Sequence, residues 1–158
     1  MKTWIPVVGF GAVFLATTLA CGSGEEVAED GSLRIPNSNP AMRAMVPEGA
    51  TPNGIGGAAG FHTDDDSFSM TVREATTQGQ SKAEHKTQIE SFAFNEWISE
   101  SDLEDGYAFA YVTEMGGVKG NQVSVVRKID GTDFVCTGAS SSKEGTAAVI
   151  DACKSVRK

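Results

Sequence analysis

Residues 123–137 read VSVVRKIDGTDFVCT, two alternating stretches joined by Asp130-Gly131. An Asp-Gly pair tolerates the positive φ angles of a type I′ turn, the connection that suits a two-residue β-hairpin. Such a turn also sets the register, because it decides which residues of the two strands stand opposite each other. The stretch therefore predicts a β-hairpin with one defined pairing.

The predicted pairing gives the hairpin one apolar face and one mixed face. Its opposed pairs are Ile129 with Thr132, Arg127 with Phe134, Val125 with Cys136, Lys128 with Asp133, Val126 with Val135, and Ser124 with Thr137. Because side chains alternate along a strand, Val125, Phe134 and Cys136 share a face with Val123 and Ile129. We expect this face to point to the core, with Arg127 as its misfit at an edge.

A C-terminal helix is predicted to cover the apolar face of the hairpin. Ser141 followed by Glu144 has the spacing of a capping box, which would open the helix there. Val149, Cys153 and Val156 then recur at helical spacing and form an apolar stripe. Cys153 and Cys136 should therefore occupy the same layer, and we predict a disulfide between them. Two buried free thiols are the alternative.

The rest of the chain adds strands and one more helix. Ser81 with Glu84 predicts a second capping box and a helix to about Glu90. Strands are expected at residues 42–46, 56–63, 68–73, 92–98 and 107–113. Strands that surround two helices without strict alternation favour an α+β fold. We expect a mainly antiparallel sheet of about five to seven strands, with the C-terminal helix packed on it.

The N-terminus has the pattern of a secretory signal. Lys2 precedes an uncharged apolar run over residues 4–20, and small residues follow at its end. The run is slightly short for a membrane-spanning helix of roughly 20 residues, and Pro6 weakens it as a helix. A cleaved signal peptide is therefore predicted at residues 1–20, with a permanent anchor helix as the alternative.

Residues 18–21, TLAC, resemble the lipobox of bacterial lipoproteins, in which a small residue precedes a cysteine that is lipidated and becomes the new N-terminus. Ala20 and Cys21 match this pattern, whereas Leu19 stands one place later than the usual leucine. The resemblance implies a lipid on Cys21 and a location in the bacterial cell envelope, on a membrane that faces the periplasm or the exterior. Thr18 and Ala20 also satisfy the rule for ordinary secretion, so release without an anchor stays open.

Three segments follow from these patterns: the signal peptide, a disordered acidic tether at residues 21–40, and a single α+β domain at 41–158. The tether is rich in Gly, Ser, Asn, Pro and acids, a composition that buries little apolar surface. Of three cysteines, lipidation would use Cys21 and leave two to pair in an oxidising compartment. The order of elements in the domain is similar to that of PsbP-like domains, but no motif accompanies it and no function is implied.

The charge balance excludes one class of partner. Asp and Glu number 21 against 13 Lys and Arg, which gives a net charge of −8. A nucleic-acid-binding protein needs a basic surface to neutralise phosphates, so no nucleic-acid partner is expected. The partners expected are a membrane, through the N-terminal lipid, and an envelope protein.

Two sequences could bind a cofactor or a metal, and both are interpreted as loops. Residues 54–59, GIGGAA, fit the loose dinucleotide pattern GxGxxA, but a strand before and a helix after them are not indicated. His62, Asp64 and Asp66 are weak metal candidates, since three consecutive aspartates cannot all converge on one ion. A solvated turn is the preferred interpretation, and no cofactor is expected.

Three further groups are given structural interpretations. His85 is expected on a plain surface. Glu100, Asp102, Glu104 and Asp105 are assigned to one loop, where solvation is commoner than the paired carboxylates of a glycosidase. The stripe of Tyr107, Phe109 and Tyr111 is expected in the sheet core and not as a platform for ligand stacking.

The sequence thus favours a lipid-anchored, non-catalytic envelope lipoprotein that binds a protein or another envelope component. The alternative is a periplasmic enzyme or metal-binding domain that uses His62 and the nearby carboxylates. Whether the chain is an enzyme is left open, with binding preferred because no catalytic motif such as GxSxG is present.

Overall fold

The computed structural model describes residues 27–53 and 58–158. Its elements, in chain order, are β1 (Leu33–Arg34), β2 (Arg43–Ala44), β3 (Thr51–Pro52), β4 (Gly60–His62), β5 (Ser69–Glu74), α1 (Lys82–Glu90), β6 (Phe94–Leu103), β7 (Gly106–Met115), β8 (Val118–Ile129), β9 (Thr132–Ser140) and α2 (Thr146–Ser155). None of the helices in this part of the chain is long and apolar enough to cross a membrane.

Seven strands form one antiparallel sheet in the order β3-β4-β5-β9-β8-β7-β6, and β1 and β2 form a separate antiparallel pair. Helix α2 packs against the large sheet. The α+β class, the mainly antiparallel sheet and the covering C-terminal helix are therefore confirmed.

The β8–β9 hairpin has the predicted register. All six predicted pairs, from Ile129 with Thr132 to Ser124 with Thr137, stand opposite each other. Asp130 has a φ of 49° and Gly131 a φ of 82°, the positive angles that the two-residue turn requires. The local turn chemistry therefore decides which hairpin residues reach each face of the sheet.

One face of the large sheet, called here the first face, is covered by α2 and the β1–β2 pair. The residues that form its core include Phe61, Met70, Val72, Val123, Val125, Phe134, Val149 and Val156. The sulfur atoms of Cys136 and Cys153 lie 1.97 Å apart in this layer, a disulfide distance, with their Cα atoms 5.6 Å apart. Turn register and helical period thus bring the two cysteines to the same place.

Helix α2 begins later than the sequence predicts. Its N-cap is Gly145, without a side-chain cap, so the capping box expected at Ser141 is wrong. The intervening residues form a tight turn, in which the Gly145 N–H donates to Ser142 Oγ over 3.0 Å. A Cβ on Gly145 would lie 2.0 Å from Ser140 Oγ, so the chain needs a glycine to pass close to the end of β9 before the helix starts.

Arg127, the expected misfit on the first face, joins the end of α2 to the sheet. Its guanidinium forms a two-pronged contact with the Asp105 carboxylate, with Nε 2.9 Å and Nη2 2.7 Å from Oδ2. Nη1 donates to the carbonyl oxygens of Lys154 and Val156, and its distance to the Val156 oxygen is 2.9 Å. These are carbonyls at the C-terminal end of a helix, which lack partners within the helix and attract a cation.

The described part of the predicted tether packs on the domain. Ser32 is 0% and Ile35 1% exposed, and Leu33 pairs with Ala44. The Ile35 N–H donates to the Met42 carbonyl over 2.8 Å. The disordered stretch predicted for residues 21–40 therefore does not extend over residues 32–35, because a short apolar sequence within the polar composition finds a buried site. Residues 21–26 lie outside the described residues.

Helix α1 covers part of the opposite face of the sheet, called here the second face. It begins with the predicted capping box, since Ser81 Oγ accepts from the Glu84 N–H and the Glu84 side chain accepts from the Ser81 N–H. Glu100 and Asp102 lie in β6 and not in a loop, which corrects the sequence interpretation. They face α1, where Lys82 Nζ lies 2.9 Å from Glu100 and 2.7 Å from Asp102.

Candidate functional site

A cavity of about 350 Å³ lies on the second face beside α1, in the size range of small-molecule sites. We call it the second-face cavity. It is lined by Arg73, Ala75, Thr76, Thr77, Gln80, His85, Gln88, Ile89, Phe92, Tyr111, Thr113, Ser124, Val135 and Thr137. Exposed side chains such as Arg73 and Phe92 belong to this lining, so the cavity opens to solvent.

The floor of the cavity follows from strand alternation. Val125 and Cys136 point to the core on the first face, so their neighbours Ser124 and Thr137 point to the second face. The Oγ1 atom of Thr137 lies 3.0 Å from that of Thr71 on β5. The register that closes the first face therefore places hydroxyl groups on the cavity floor.

The electrostatic character of the cavity differs from that of the whole chain. The chain has a net charge of −8, yet none of the lining residues is Asp or Glu. Arg73 is the one lining residue with a permanent positive charge, and it forms no ion pair within residues 27–53 and 58–158. Nine other described cations do form ion pairs: Lys82, Lys86, Lys119, Arg127, Lys128, Lys143, Lys154, Arg157 and Lys158.

His85 is the titratable group at the junction of α1 and the sheet. Its Nε2 lies 3.3 Å from Ser124 Oγ, and its ring contacts Tyr107 and Phe109 edge-on at 5.6 and 5.7 Å. Burial, and then the charge of Arg73, lower the pKa of His85 below its usual value, so the ring is neutral at pH 7. The expectation that His85 is plain surface is wrong, because α1 turns this residue inward.

One polar atom of His85, a residue of the cavity lining, lacks a partner among the described residues. His85 Nδ1 is buried and accepts or donates no hydrogen bond within the part of the chain described. An unpaired buried polar atom costs free energy, so such atoms in native proteins often have a partner in water or a ligand.

Two aromatic residues and one isoleucine form the apolar side of the site. Phe92 is 68% exposed, which is unusual for so large an apolar side chain, whereas Ile89 is 8% exposed. Burial raises the pKa of Tyr111, which keeps its hydroxyl protonated. Tyr107 and Phe109 lie in the aromatic core under α1, as expected from the sequence, and Tyr111 also lines the cavity.

This arrangement is better suited to binding than to nucleophilic catalysis. Ser124 is 2% exposed and lies beside His85, so its hydroxyl is poorly placed to reach a substrate carbonyl. The unpartnered Nδ1 of His85 also means that no described carboxylate orients the imidazole, as one does in a Ser-His-Asp triad. The cavity supplies hydroxyl groups, a neutral imidazole, one cation and an apolar wall.

The metal candidates do not converge. No group of three His, Cys, Asp or Glu side chains among the described residues could hold a metal ion, and this includes His62, Asp64 and Asp66. The intervening Asp65 accepts hydrogen bonds from the Ser67 N–H at 3.0 Å and Thr63 Oγ1 at 2.7 Å. The hydrogen bonds from Ser67 and then Thr63 lower the pKa of Asp65 to about 2. Asp65 therefore serves to hold the local turn together.

Two other predicted sites lie at the limits of the described chain. Of the GxGxxA sequence, residues 54–57 lie outside the described residues, and Ala58 and Ala59 lead into strand β4. A dinucleotide-binding motif requires a helix at that position. Cys21, the predicted lipidation site, also lies outside the described residues.

The carboxylates considered for glycosidase chemistry are occupied by ion pairs. Glu100 lies between Lys82 and Lys86, with its oxygens 2.9 and 2.6 Å from the two ammonium nitrogens, and Asp102 binds Lys82. Asp105 binds Arg127. These side chains hold α1 and α2 on the sheet and do not face each other across a cleft.

The second-face cavity was not predicted from the sequence. His85 and Ser124 are separated by 39 residues, and nothing in either local sequence indicates that they meet. A signal was nevertheless present, because Thr71 and Arg73 alternate with the buried Met70 and Val72 along β5. Such alternation predicts a polar second face, although it does not predict a cavity.

Comparison with known proteins adds no family to this description. No protein-family model matches the chain, and no curated protein matches it significantly. The geometry of the second-face cavity is therefore the basis for its interpretation.

Proposed function

We propose that the chain is a lipid-anchored protein of the bacterial cell envelope, and that its folded part is a non-catalytic binding module with the second-face cavity as its ligand site. The observation that carries the binding role is the lining of this cavity, where several hydroxyl groups lie with Arg73, a cation that has no ion-pair partner among the described residues. The poorly placed hydroxyl of Ser124 favours binding over catalysis.

The anchor is proposed from the N-terminal sequence. The lipobox-like residues 18–21 follow a signal-like apolar run, and the proposed lipid would be attached to Cys21. The structured chain is described from Val27 on, six residues later. Six residues span at most about 20 Å when fully extended, so the folded part would lie close to the membrane surface.

The position of the N-terminal segment is compatible with ligand access from an anchored state. Val27 forms a bridge with Leu33, and Asp30 forms an ion pair with Arg157 just after α2. This segment belongs to the layer on the first face, whereas the cavity opens on the second face. A membrane next to the N-terminal segment would therefore leave the cavity accessible.

The paired cysteines support an exported location. Disulfides persist in oxidising compartments such as the bacterial periplasm and are rare in the cytosol. Cys136 and Cys153 lie at a disulfide distance on the first face. The envelope protein partner expected from the sequence stays a prediction.

The test of the anchor is a Cys21→Ser substitution in the full-length chain, expressed with its own N-terminus in a bacterial host. We expect this variant to move from the membrane fraction to the soluble fraction, because the lipid chains that hold a lipoprotein stably are lost. Ser23→Ala is the matched control, since it changes a nearby polar residue and keeps Cys21. Mass spectrometry of the N-terminal peptide should find fatty acyl groups on Cys21 in the control only. A processed Cys21→Ser protein that still sediments with membranes would refute the lipid anchor.

A further inference from the structure

We infer that the second-face cavity binds a small organic anion, with the anionic group at Arg73 and an apolar part against Ile89, Phe92 and Tyr111. This inference rests on the proposed function, since it names the ligand class of the same site. It follows from the charge, the hydrogen-bonding groups and the apolar wall of the cavity taken together.

The charge of the lining selects for an anion. The chain has 21 acidic residues, yet none of those in the described ranges lines the cavity, and Arg73 has no ion-pair partner there either. A planar guanidinium donates two parallel hydrogen bonds to a carboxylate or a phosphate. A cationic ligand would meet Arg73 without any compensating carboxylate in the lining, so cations are disfavoured.

The polar floor can complete the coordination of an anion. Thr137 presents a hydroxyl group on the floor, and Thr76, Thr77 and Thr113 add more around the lining. A ligand that accepts hydrogen bonds from these hydroxyl groups keeps them paired when it displaces water from the cavity.

The apolar wall indicates that the anion is organic. Phe92 lies at the cavity with 68% of its surface exposed, next to Ile89 and Tyr111. Burying exposed aromatic surface contributes to binding, and an aromatic ring on the ligand can stack on these side chains. Inorganic phosphate would use Arg73 and the hydroxyl groups but leave this wall uncovered.

The probes are benzoate, its neutral analogue benzamide, and inorganic phosphate, each titrated into the full-length chain in detergent micelles. The readout is the NMR signal of the imidazole rings. The chain contains two histidines, so His62, outside the cavity, serves as an internal reference for His85. We expect benzoate to shift the His85 signals with saturation and to leave those of His62 in place. Benzamide and phosphate should each bind at least about tenfold more weakly, since loss of one charged contact or of the apolar contact exceeds 1.4 kcal/mol.

Arg73→Gln tests the assigned anion contact. It should weaken benzoate binding by about tenfold or more and leave benzamide binding unchanged. The matched control is Arg34→Gln, because Arg34 is an exposed arginine on β1, away from the lining of the cavity. This control should bind benzoate as the unmodified chain does, and unchanged His62 signals show that both variants are folded.

Two results would overturn the inference and leave different parts of the proposal standing. Equal binding of benzoate and benzamide, or benzoate binding unaffected by Arg73→Gln, would refute the anionic class while the cavity remains a binding site. No shift of His85 with any of the three probes would refute the organic-anion site itself. Neither result bears on the lipid anchor, which fractionation of Cys21→Ser tests separately.

Discussion

The two faces of the seven-stranded sheet are closed in different ways. The first face is covered by α2 and the β1–β2 pair, with a continuous apolar core and the Cys136–Cys153 pair inside it. The second face is covered over part of its area by α1, whose one buried residue is Ile89. There the contacts are aromatic rings, a half-buried histidine and lysine ion pairs with β6.

This difference separates stability from binding. Apolar burial and a covalent link contribute most to holding a small domain together, whereas exposed ion pairs contribute little. Helix α1 is therefore the weaker cover, and the space that it leaves on the second face is the cavity. We expect substitutions on the first face to affect unfolding strongly, and substitutions on the second face to affect it weakly.

The largest loss of unfolding free energy is expected from Ile35→Ala. This substitution truncates a side chain of the N-terminal segment that is only 1% exposed and packs on the first face. Truncating a fully buried isoleucine costs about 2–5 kcal/mol of unfolding free energy. Urea denaturation followed by circular dichroism measures it. Val27→Ala, at a side chain that is 61% exposed, is the matched control and should change little. Equal and small effects of both substitutions would show that this segment does not belong to the folded domain.

Removing the Cys136–Cys153 link should lower the unfolding free energy slightly less than Ile35→Ala does. The sequence separation of 17 closes a short loop, for which a disulfide contributes about 3 kcal/mol on the chain-entropy model. The double variant Cys136→Ala/Cys153→Ala should lose about this much in urea denaturation, and Cys21→Ser should lose nothing. Peptide mapping without reductant should find the two peptides joined in the exported protein. Complete alkylation of both thiols without reductant would show that the bridge is absent.

On the second face, His85 should make stability depend on pH. Burial and then Arg73 lower the pKa of His85 in the fold, so the unfolded chain takes up the proton at a higher pH than the folded chain does. The contribution of neutral His85 to stability is complete above the pKa of histidine in the unfolded chain, about 6.5. This contribution is lost as the pH falls from there through the pKa of His85 in the folded chain.

Thermal unfolding between pH 7.5 and 5 should therefore show a fall in Tm that His85→Gln reduces. His62→Gln, which changes the other histidine, is the control and should retain the fall. If His62→Gln removed the pH dependence of Tm and His85→Gln kept it, the pH dependence would not come from His85 on the second face.

The smallest effect is expected from Lys86→Met, which removes the 2.6 Å ion pair with Glu100 but keeps an aliphatic side chain over the Trp97 ring. Exposed ion pairs contribute little and are screened by salt. A slight fall in the urea midpoint at low salt should vanish at about 1 M salt, where the Debye length is about 3 Å. A large loss that persists in high salt would mean that α1 depends on this pair, and the contrast between the faces would fail.

Predictions from the sequence succeeded where the structure depends on neighbouring residues. The Asp130-Gly131 turn, the strand alternation around it and the capping box at Ser81 all involve residues within a few positions of each other. The same reasoning failed at Ser141, where a capping pattern is present but the close approach of Gly145 to Ser140 delays the helix. A local pattern predicts a helix start only when the tertiary path leaves room for it.

Contacts between distant residues account for the other differences. Composition alone indicated a disordered segment around Ile35, because it contains no information on the buried site that receives this side chain. Glu100 and Asp102 were assigned to a loop, yet they lie in β6, because this strand pairs with β7 as far as Leu103 and because Lys82 and Lys86 of α1 lie beside the two carboxylates. Acidic residues are tolerated in a strand when such cations neutralise them.

By itself the sequence determined the α+β class, the hairpin register and the common layer of Cys136 and Cys153, because turn geometry and the periods of strand and helix are properties of short stretches of chain. Only the tertiary structure decided that His85 meets Ser124, that Arg73 has no counter-ion among the described residues, and that no described carboxylate lines the cavity between α1 and the sheet. These features depend on how a helix of poor amphipathicity docks across strands far from it in sequence, and that docking is set by the sum of many side-chain contacts and by no single local signal.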